Sequence, residues 1–289
     1  MLAVGADDFI RGANPEDPIF LYFSVGAPHS DGRRPPDPAP RHLNSLDGLE
    51  RFRPPNYDER RIEDKPAHVR NKDRITRAEA GDIDLMRQRQ YESLLAVDDA
   101  VGAILGALAD TGRLDNTMIV YTSDNGYFWG EHRFTGKKLA YEESIRVPYV
   151  VRYDPLTGGS PSSSDDLVLN IDLAPTFAEL AGTQAPGAEG ESLLPLLKGE
   201  PVSWRDDFLV EASIDRVSYC AVRTADRIYV YWAGGEEEYY DLAVDPFELK
   251  NTAGGRHVSS DVRGMRRLTK EYCNPPPPGL KLPRDWRAG

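Results

Sequence analysis

Residues 19–25, Ile-Phe-Leu-Tyr-Phe-Ser-Val, are apolar almost without interruption, and residues 118–122, Met-Ile-Val-Tyr-Thr, repeat the pattern. Such runs predict strands buried on both faces, as in a sheet covered by helices. A shorter strand is predicted over 147–152, where Pro148 suits an edge or a strand start. Between the first two runs the period changes. Leu85, Leu94, Leu95, Val97, Val101, Ile104, Leu105 and Leu108 recur at helical spacing, which predicts a long helix from residue 83 to about 110. Gly112 stops it. Residues 30–80 are rich in Pro, Arg and Asp and read as a long irregular excursion.

A second style follows. Asp172 reads as the N-cap of a helix through Leu180, ended by Gly182. After Gly199, residues 208–211, 218–222, 227–232 and 238–242 are short alternating strands between turn signals, which predicts an antiparallel sheet. A basic amphipathic stretch, 259–272, closes it as a helix, and the Pro-rich 274–279 reads as a surface tail. The expected architecture is α/β: a mostly parallel sheet flanked by helices over 1–200, then a small antiparallel α+β subdomain over 201–289. In parallel sheets ligands bind beyond the carboxyl ends of the strands. Two predicted strands end in polar clusters, at His29 and at Asp124-Asn125.

Composition narrows the function. The 289 residues carry a net charge of −12, with 28% charged and 40% hydrophobic positions, an ordinary balance for a globular protein. An acidic surface repels phosphate backbones, so general nucleic-acid binding is disfavoured. No apolar run approaches the ~18 residues of a membrane span. The first residues lack the basic start and long apolar stretch of a signal peptide, and a cytoplasmic location is the expectation. Cys220 and Cys273 form no CxxC motif and read as free thiols in a reducing compartment.

Asp124-Asn125-Gly126 directly follows a predicted strand. A carboxylate and a carboxamide oxygen are hard ligands for Ca²⁺ or Mg²⁺, while the same residues are also ordinary turn formers. His29 could donate a proton to a leaving oxygen or bind an anion, or serve as a plain surface group. Arg133, Lys137, Lys138 and Arg146 form a cationic patch that would attract an anion, unless Glu131, Glu142 and Glu143 neutralise it. Asp7-Asp8 resembles a metal dyad, but its context reads as helix. Asp98-Asp99 lies within the long helix, where adjacent side chains point about 100° apart and chelate poorly.

Several strings together resemble one family. They are Phe20-Leu21-Tyr22-Phe23-Ser24 leading to Ala27-Pro28-His29; Tyr121-Thr122-Ser123-Asp124-Asn125-Gly126; Gly130-Glu131-His132; Lys137 followed by Tyr141-Glu142-Glu143-Ser144-Ile145-Arg146-Val147-Pro148; Asp172-Leu173-Ala174-Pro175-Thr176; and Tyr240-Asp241-Leu242 with Asp245-Pro246, Glu248 and Asn251. The chain resembles the C-terminal three-fifths of a sulfatase, of the alkaline-phosphatase-like superfamily, with the match running over about 8–255.

The resemblance implies hydrolysis of sulfate esters, with an anionic sulfate ester as substrate. Asp124 and Asn125 would be ligands of Ca²⁺ or Mg²⁺. His29 would contact the sulfate or the leaving oxygen, and Lys137, four residues before Tyr141, would pair with the sulfate in preference to Lys138. His132 would line the pocket. These residues are expected to converge at one end of the sheet. The family's nucleophile, a formylglycine made within a C/S-x-P-x-R motif, has no counterpart here: Cys220 is followed by Ala-Val-Arg and Cys273 by Asn-Pro-Pro-Pro. Without that segment the metal would bind weakly, and a missing N-terminal half or a second copy of the chain would cover the exposed core. A non-catalytic remnant or binding module and a related phosphoester hydrolase are the alternatives.

Overall fold

The structure is a computed structural model, and it describes residues 2–32, 34–159, 161–214, 217–254 and 258–283. In chain order the elements are α1 (Leu2–Gly12), α2 (Ala67–Arg70), α3 (Arg77–Asp110), β1 (Ile119–Thr122), β2 (Phe128–Trp129), β3 (Thr135–Gly136), α4 (Glu142–Ile145), β4 (Tyr149–Arg152), α5 (Asp154–Thr157), α6 (Leu173–Leu180), α7 (Leu194–Leu197), β5 (Asp207–Ile214), β6 (Val217–Thr224), β7 (Arg227–Trp232), β8 (Glu237–Asp241) and α8 (Ser260–Tyr272). They fall into two compact units interleaved in sequence. The first comprises Met1–Phe52, Ile75–Tyr121 and Val150–Ser160; the second comprises Arg53–Arg74, Thr122–Tyr149 and Pro161–Gly289.

The first unit is built on α3. Thr76 begins this helix with a full capping box: its hydroxyl accepts from the Glu79 backbone N–H, and the Glu79 carboxylate accepts from the Thr76 N–H. The helix therefore starts six residues before the expected start at residue 83. Its C-terminal end packs on α1 through Ile10, Ala107 and Leu108, with Ile19, Ile104, Leu114 and Ile119 around them. Asp7 lies within α1 and pairs with Arg11, while Asp99 of α3 binds Arg41 and His42.

A parallel core sheet is not evident among the described residues. β1 pairs only with β4, and residues 19–25 form no strand. Phe20 is 67% exposed and Tyr22 83%. The reason is physical: an extended segment becomes a strand only when a neighbour completes its hydrogen-bond ladder, whatever its hydropathy.

The second unit holds a four-stranded antiparallel sheet in the order β5-β6-β7-β8. The register is continuous from Phe208↔Arg223 through Ala221↔Val230 to Ile228↔Tyr240. The strands were expected to alternate between apolar and polar positions. Instead Ile228 to Trp232 are all buried. One face packs Tyr219, Ala221, Ile228, Val230, Trp232 and Tyr240 on Ile62, Val69, Phe128 and residues 139–141. The other packs Cys220, Val222, Tyr229, Tyr231 and Tyr239 under α8, through Val262 and Met265.

One further expectation is corrected here. Cys220 and Cys273 are bridged, with Cα atoms 6.2 Å apart, and not free. The Pro-rich segment after α8 lies mostly at the surface, as expected, and is tied to the sheet: the Pro278 carbonyl accepts from the Ser213 and Ser218 hydroxyls. No helix among the described residues is long and apolar enough to cross a membrane.

Candidate functional site

The loop after β1 is fixed by its own backbone. Ser123 Oγ donates to the Asn125 carbonyl, and Asn170 Nδ2 donates to the Ser123 carbonyl. The Gly126 N–H donates to the Ser144 carbonyl over 2.9 Å. A Cβ at Gly126 would lie 2.1 Å from the Glu143 carbonyl oxygen and 2.9 Å from that of Arg146, so only glycine allows this approach. That contact locks the Asp124-Asn125 turn against α4.

The next turns bring Lys137 to the same place. The β2–β3 hairpin pairs Phe128 with Gly136 and Trp129 with Thr135, and Lys137 leaves its end. Its Nζ donates to Asn125 Oδ1 over 2.8 Å and lies 4.0 Å from Asp124 Oδ2. The side chain of Lys137 is 31% exposed, whereas the Asp124 carboxylate is 84% exposed. Lys138 adopts φ +94°, donates its backbone N–H to Ser144 Oγ, and turns outward. The cationic patch is thus not one uniform surface. Arg133 is tied down by the carbonyls of Glu59 and Lys72, and Glu142 is paired with Arg223.

Tyr141 anchors this loop to the C-terminal sheet. Its hydroxyl, that of Tyr240 and the Trp232 indole N–H all donate to the buried Glu238 carboxylate, over 2.6, 2.6 and 2.7 Å. Burial outweighs these donors and raises the Glu238 pKa, as it raises those of Tyr141 and Tyr240.

His132 is fully buried and stacks on Tyr141, with ring centroids 4.3 Å apart. Its Nδ1 lies 2.8 Å from Glu59 Oε2 and its Nε2 3.2 Å from Asn56 Nδ2. The same Asn56 amide donates to Glu143 Oε1 over 2.7 Å. Glu248 joins from beyond the sheet, accepting the Glu142 backbone N–H over 3.0 Å. Burial, then the charge of Glu143, push the Glu248 carboxyl well above the usual carboxylate range. Burial likewise raises Glu131 to about 7. Sequence reasoning overlooked Asn56 and Glu59 entirely, because their partners lie 76 and 73 residues away.

His29 belongs to the first unit. It is exposed, follows a cis Ala27-Pro28 peptide, and donates its backbone N–H to the Gly26 carbonyl. Asp124, Asn125, His132 and Lys137 all belong to the second unit, and the structure brings Asp124, Asn125 and Lys137 together.

A hard divalent ion suits the Asp124-Asn125 pair in kind. Both offer oxygen, and the Lys137 ammonium already sits against one of them as a cation would. In number they supply two ligands, where Ca²⁺ takes six to eight.

A carboxylate, a carboxamide and a lysine are thus held together just after a strand end. The sulfatase family profile matches residues 2–183, and that of the N-sulphoglucosamine sulphohydrolase C-terminal region matches 130–272. The chain belongs to the sulfatase family of the alkaline-phosphatase-like superfamily and corresponds to the C-terminal portion of its homologues. It is 37% identical over 192 residues to an N-acetylglucosamine-6-O-sulfatase of Bacteroides thetaiotaomicron, covering 62% of this chain and 34% of that protein. It is 30% identical over 275 residues to an arylsulfatase of Clostridium perfringens, covering 90% and 54%. The chain therefore spans between a third and about half of the length of these two curated relatives. Among solved structures, BT4656 in complex with its substrate D-glucosamine-2-N,6-O-disulfate superposes with a TM-score of 0.83 at 25% identity. That match covers 94% of this chain and 68% of BT4656.

Proposed function

We propose that this chain carries the sulfate-recognition part of a sulfatase active site and acts in the hydrolysis of sulfate esters of sugars. One observation carries the reading: the Lys137 ammonium stands 2.8 Å from Asn125 Oδ1 and 4.0 Å from Asp124 Oδ2 on a loop locked by Gly126. A sulfate monoester spreads its charge over its outer oxygens, and that charge moves to the leaving oxygen as the ester bond breaks. A fixed ammonium stabilises both stages without reorganising. Asp124 and Asn125 would hold the divalent ion, Ca²⁺ in this reading, and it would draw charge from the sulfate oxygens when bound. His29 is carried over on the family motif alone, as the group that protonates the leaving oxygen. His132, sealed behind Tyr141, is assigned to support the Lys137 loop. The sugar substrate follows the relatives that act on sulfated glucosamine.

Covalent sulfatase chemistry needs a nucleophile, and this sequence contains no C/S-x-P-x-R motif, so the chain alone is expected to be inert toward aryl sulfates. Its buried Cys220–Cys273 bridge favours an oxidising compartment over the cytoplasm. The test joins the chain to an upstream sulfatase segment carrying the motif, with formylglycine formation confirmed by mass spectrometry. Lys137→Ala should then lower kcat/KM for an aryl sulfate by ~10²–10³. Lys138→Ala should stay within a few-fold, because an exposed charge is screened. Equal losses at both positions would sink the assignment. Turnover of a phosphate ester in place of the sulfate would favour a phosphoester hydrolase.

A further inference from the structure

The second unit contains a group of donor atoms that the sulfate site does not use. One ligand atom each from His132, Glu143 and Glu248 lies within 4.8 Å of the other two. His132 and Glu248 are fully buried. Three oxygens here have no hydrogen-bond partner among the described residues: Asn56 Oδ1, Glu143 Oε2 and Glu248 Oε1. A buried polar atom without a partner costs roughly 1–3 kcal/mol, so three in one place call for a common explanation.

The imidazole supplies a direction. Glu59 accepts from Nδ1–H, which leaves the Nε2 lone pair facing Asn56 and the two carboxylates. Glu59 is itself held by the buried Lys65, whose Nζ lies 3.4 Å from Glu59 Oε1. A histidine whose far nitrogen is gripped by an anchored carboxylate is oriented as metal-ligating histidines are. A shared proton between Glu143 and Glu248 is the competing account. It would satisfy two oxygens at most, and it would leave Asn56 Oδ1 without a partner. A cation addresses all three oxygens and can take the place of the Asn56 amide at Nε2. Asn56 can adapt by rotating its amide end over end, which exchanges an oxygen for the nitrogen now facing His132 and Glu143.

We infer that His132, Glu143 and Glu248, with the Asn56 carboxamide, form a second cation site, separate from Asp124-Asn125, for a borderline divalent ion such as Zn²⁺. One imidazole and two carboxylates suit such an ion better than Ca²⁺, which prefers oxygen alone. The site draws on segments around residues 56, 132, 143 and 248. An ion there would staple the loop that carries Lys137 to the C-terminal sheet, as a structural ion with no part in turnover.

The test uses the full chain, freed of metal by chelation. Zn²⁺ titrated by calorimetry should bind one equivalent at this site. Tm should rise by on the order of 5–10 °C when free Zn²⁺ is 100-fold above Kd. Co²⁺ in its place should give the intense visible absorption of a low-symmetry four-coordinate site, and Zn²⁺ should abolish it. His132→Gln and Glu248→Gln should each lose that absorption, and Asp124→Asn should keep it. Asn56→Asp adds a carboxylate and should tighten Kd by about ten-fold or more. If the Gln variants do not fold, the parent's Zn²⁺ X-ray absorption spectrum decides, since one imidazole among oxygen ligands is required. Absence of both ion uptake and a Tm shift would overturn the inference, and so would a Glu248→Gln variant that is more stable than the parent with or without Zn²⁺. Loss of the absorption in Asp124→Asn would move the ion to the sulfate site and overturn it equally.

Discussion

The two compact units invert what their hydropathy foretold. In the first, the strongly apolar residues 19–25 form no strand and expose Phe20 and Tyr22. Much of the stripe of α3 is only half-buried, and the buried cluster where α1 meets α3 is small, built on Ile10, Ala107 and Leu108. In the second, a sheet whose strands read as alternating is buried on both faces, crossed by a disulfide and pinned by the Glu238 network. Hydropathy states what a segment prefers. Whether the preference is met depends on a partner surface, which β7 finds on both sides, whereas Phe20 and Tyr22 remain largely exposed.

If stability is concentrated in the second unit, reducing the Cys220–Cys273 bridge should produce the largest effect. Closing a loop of 53 residues constrains the unfolded chain by about 4 kcal/mol on the chain-entropy estimate. Hydrogen exchange after reduction should accelerate in β5–β8 and α8 while leaving α3 unchanged. Acceleration spread evenly over both units would erase the contrast.

Acid offers a smaller and more local probe. His68 packs on the Trp232 ring, with centroids 4.1 Å apart, and burial lowers its pKa to about 4. The folded state thus favours the neutral ring. Its contribution is complete above the ordinary value near 6.5 and is lost as pH falls from there toward 4. The stability difference between wild type and His68→Phe should shrink by up to about 3 kcal/mol over that interval. A difference independent of pH in denaturant melts would refute the assignment.

Within the first unit, Thr76→Ala removes half of the capping box and should cost about 1 kcal/mol, read as earlier fraying of α3 by hydrogen exchange. Tyr22→Ser should change stability by less than about 0.5 kcal/mol, because the ring already meets water. A substantial loss on denaturant melting would show that residues 19–25 are packed after all and would remove half of the comparison.

Helices were legible wherever periodicity and caps agree. α3, α6 and α8 fall where the stripes, Asp172 and the basic amphipathic segment placed them, and the four strands of the sheet appear within a few residues of their turn signals. The Asp124-Asn125-Gly126 turn was legible too, since a turn is a local feature, and it is Lys137 that stands against Asn125. The double burial of the sheet, the pairing of Cys220 with Cys273 and the His132–Glu143–Glu248 group were not. Each depends on residues far apart along the chain, as when Asn56 meets His132 across 76 positions and Glu142 meets Glu248 across 106. The sequence by itself determined most of the helices and sheet strands, the turn after β1 and which family the chain resembles, because dihedral preference, side-chain period and short motifs act between near neighbours. Only the tertiary structure decided which apolar faces are covered and which buried carboxylates meet, because burial and desolvation are properties of a residue's surroundings and not of its place in the chain.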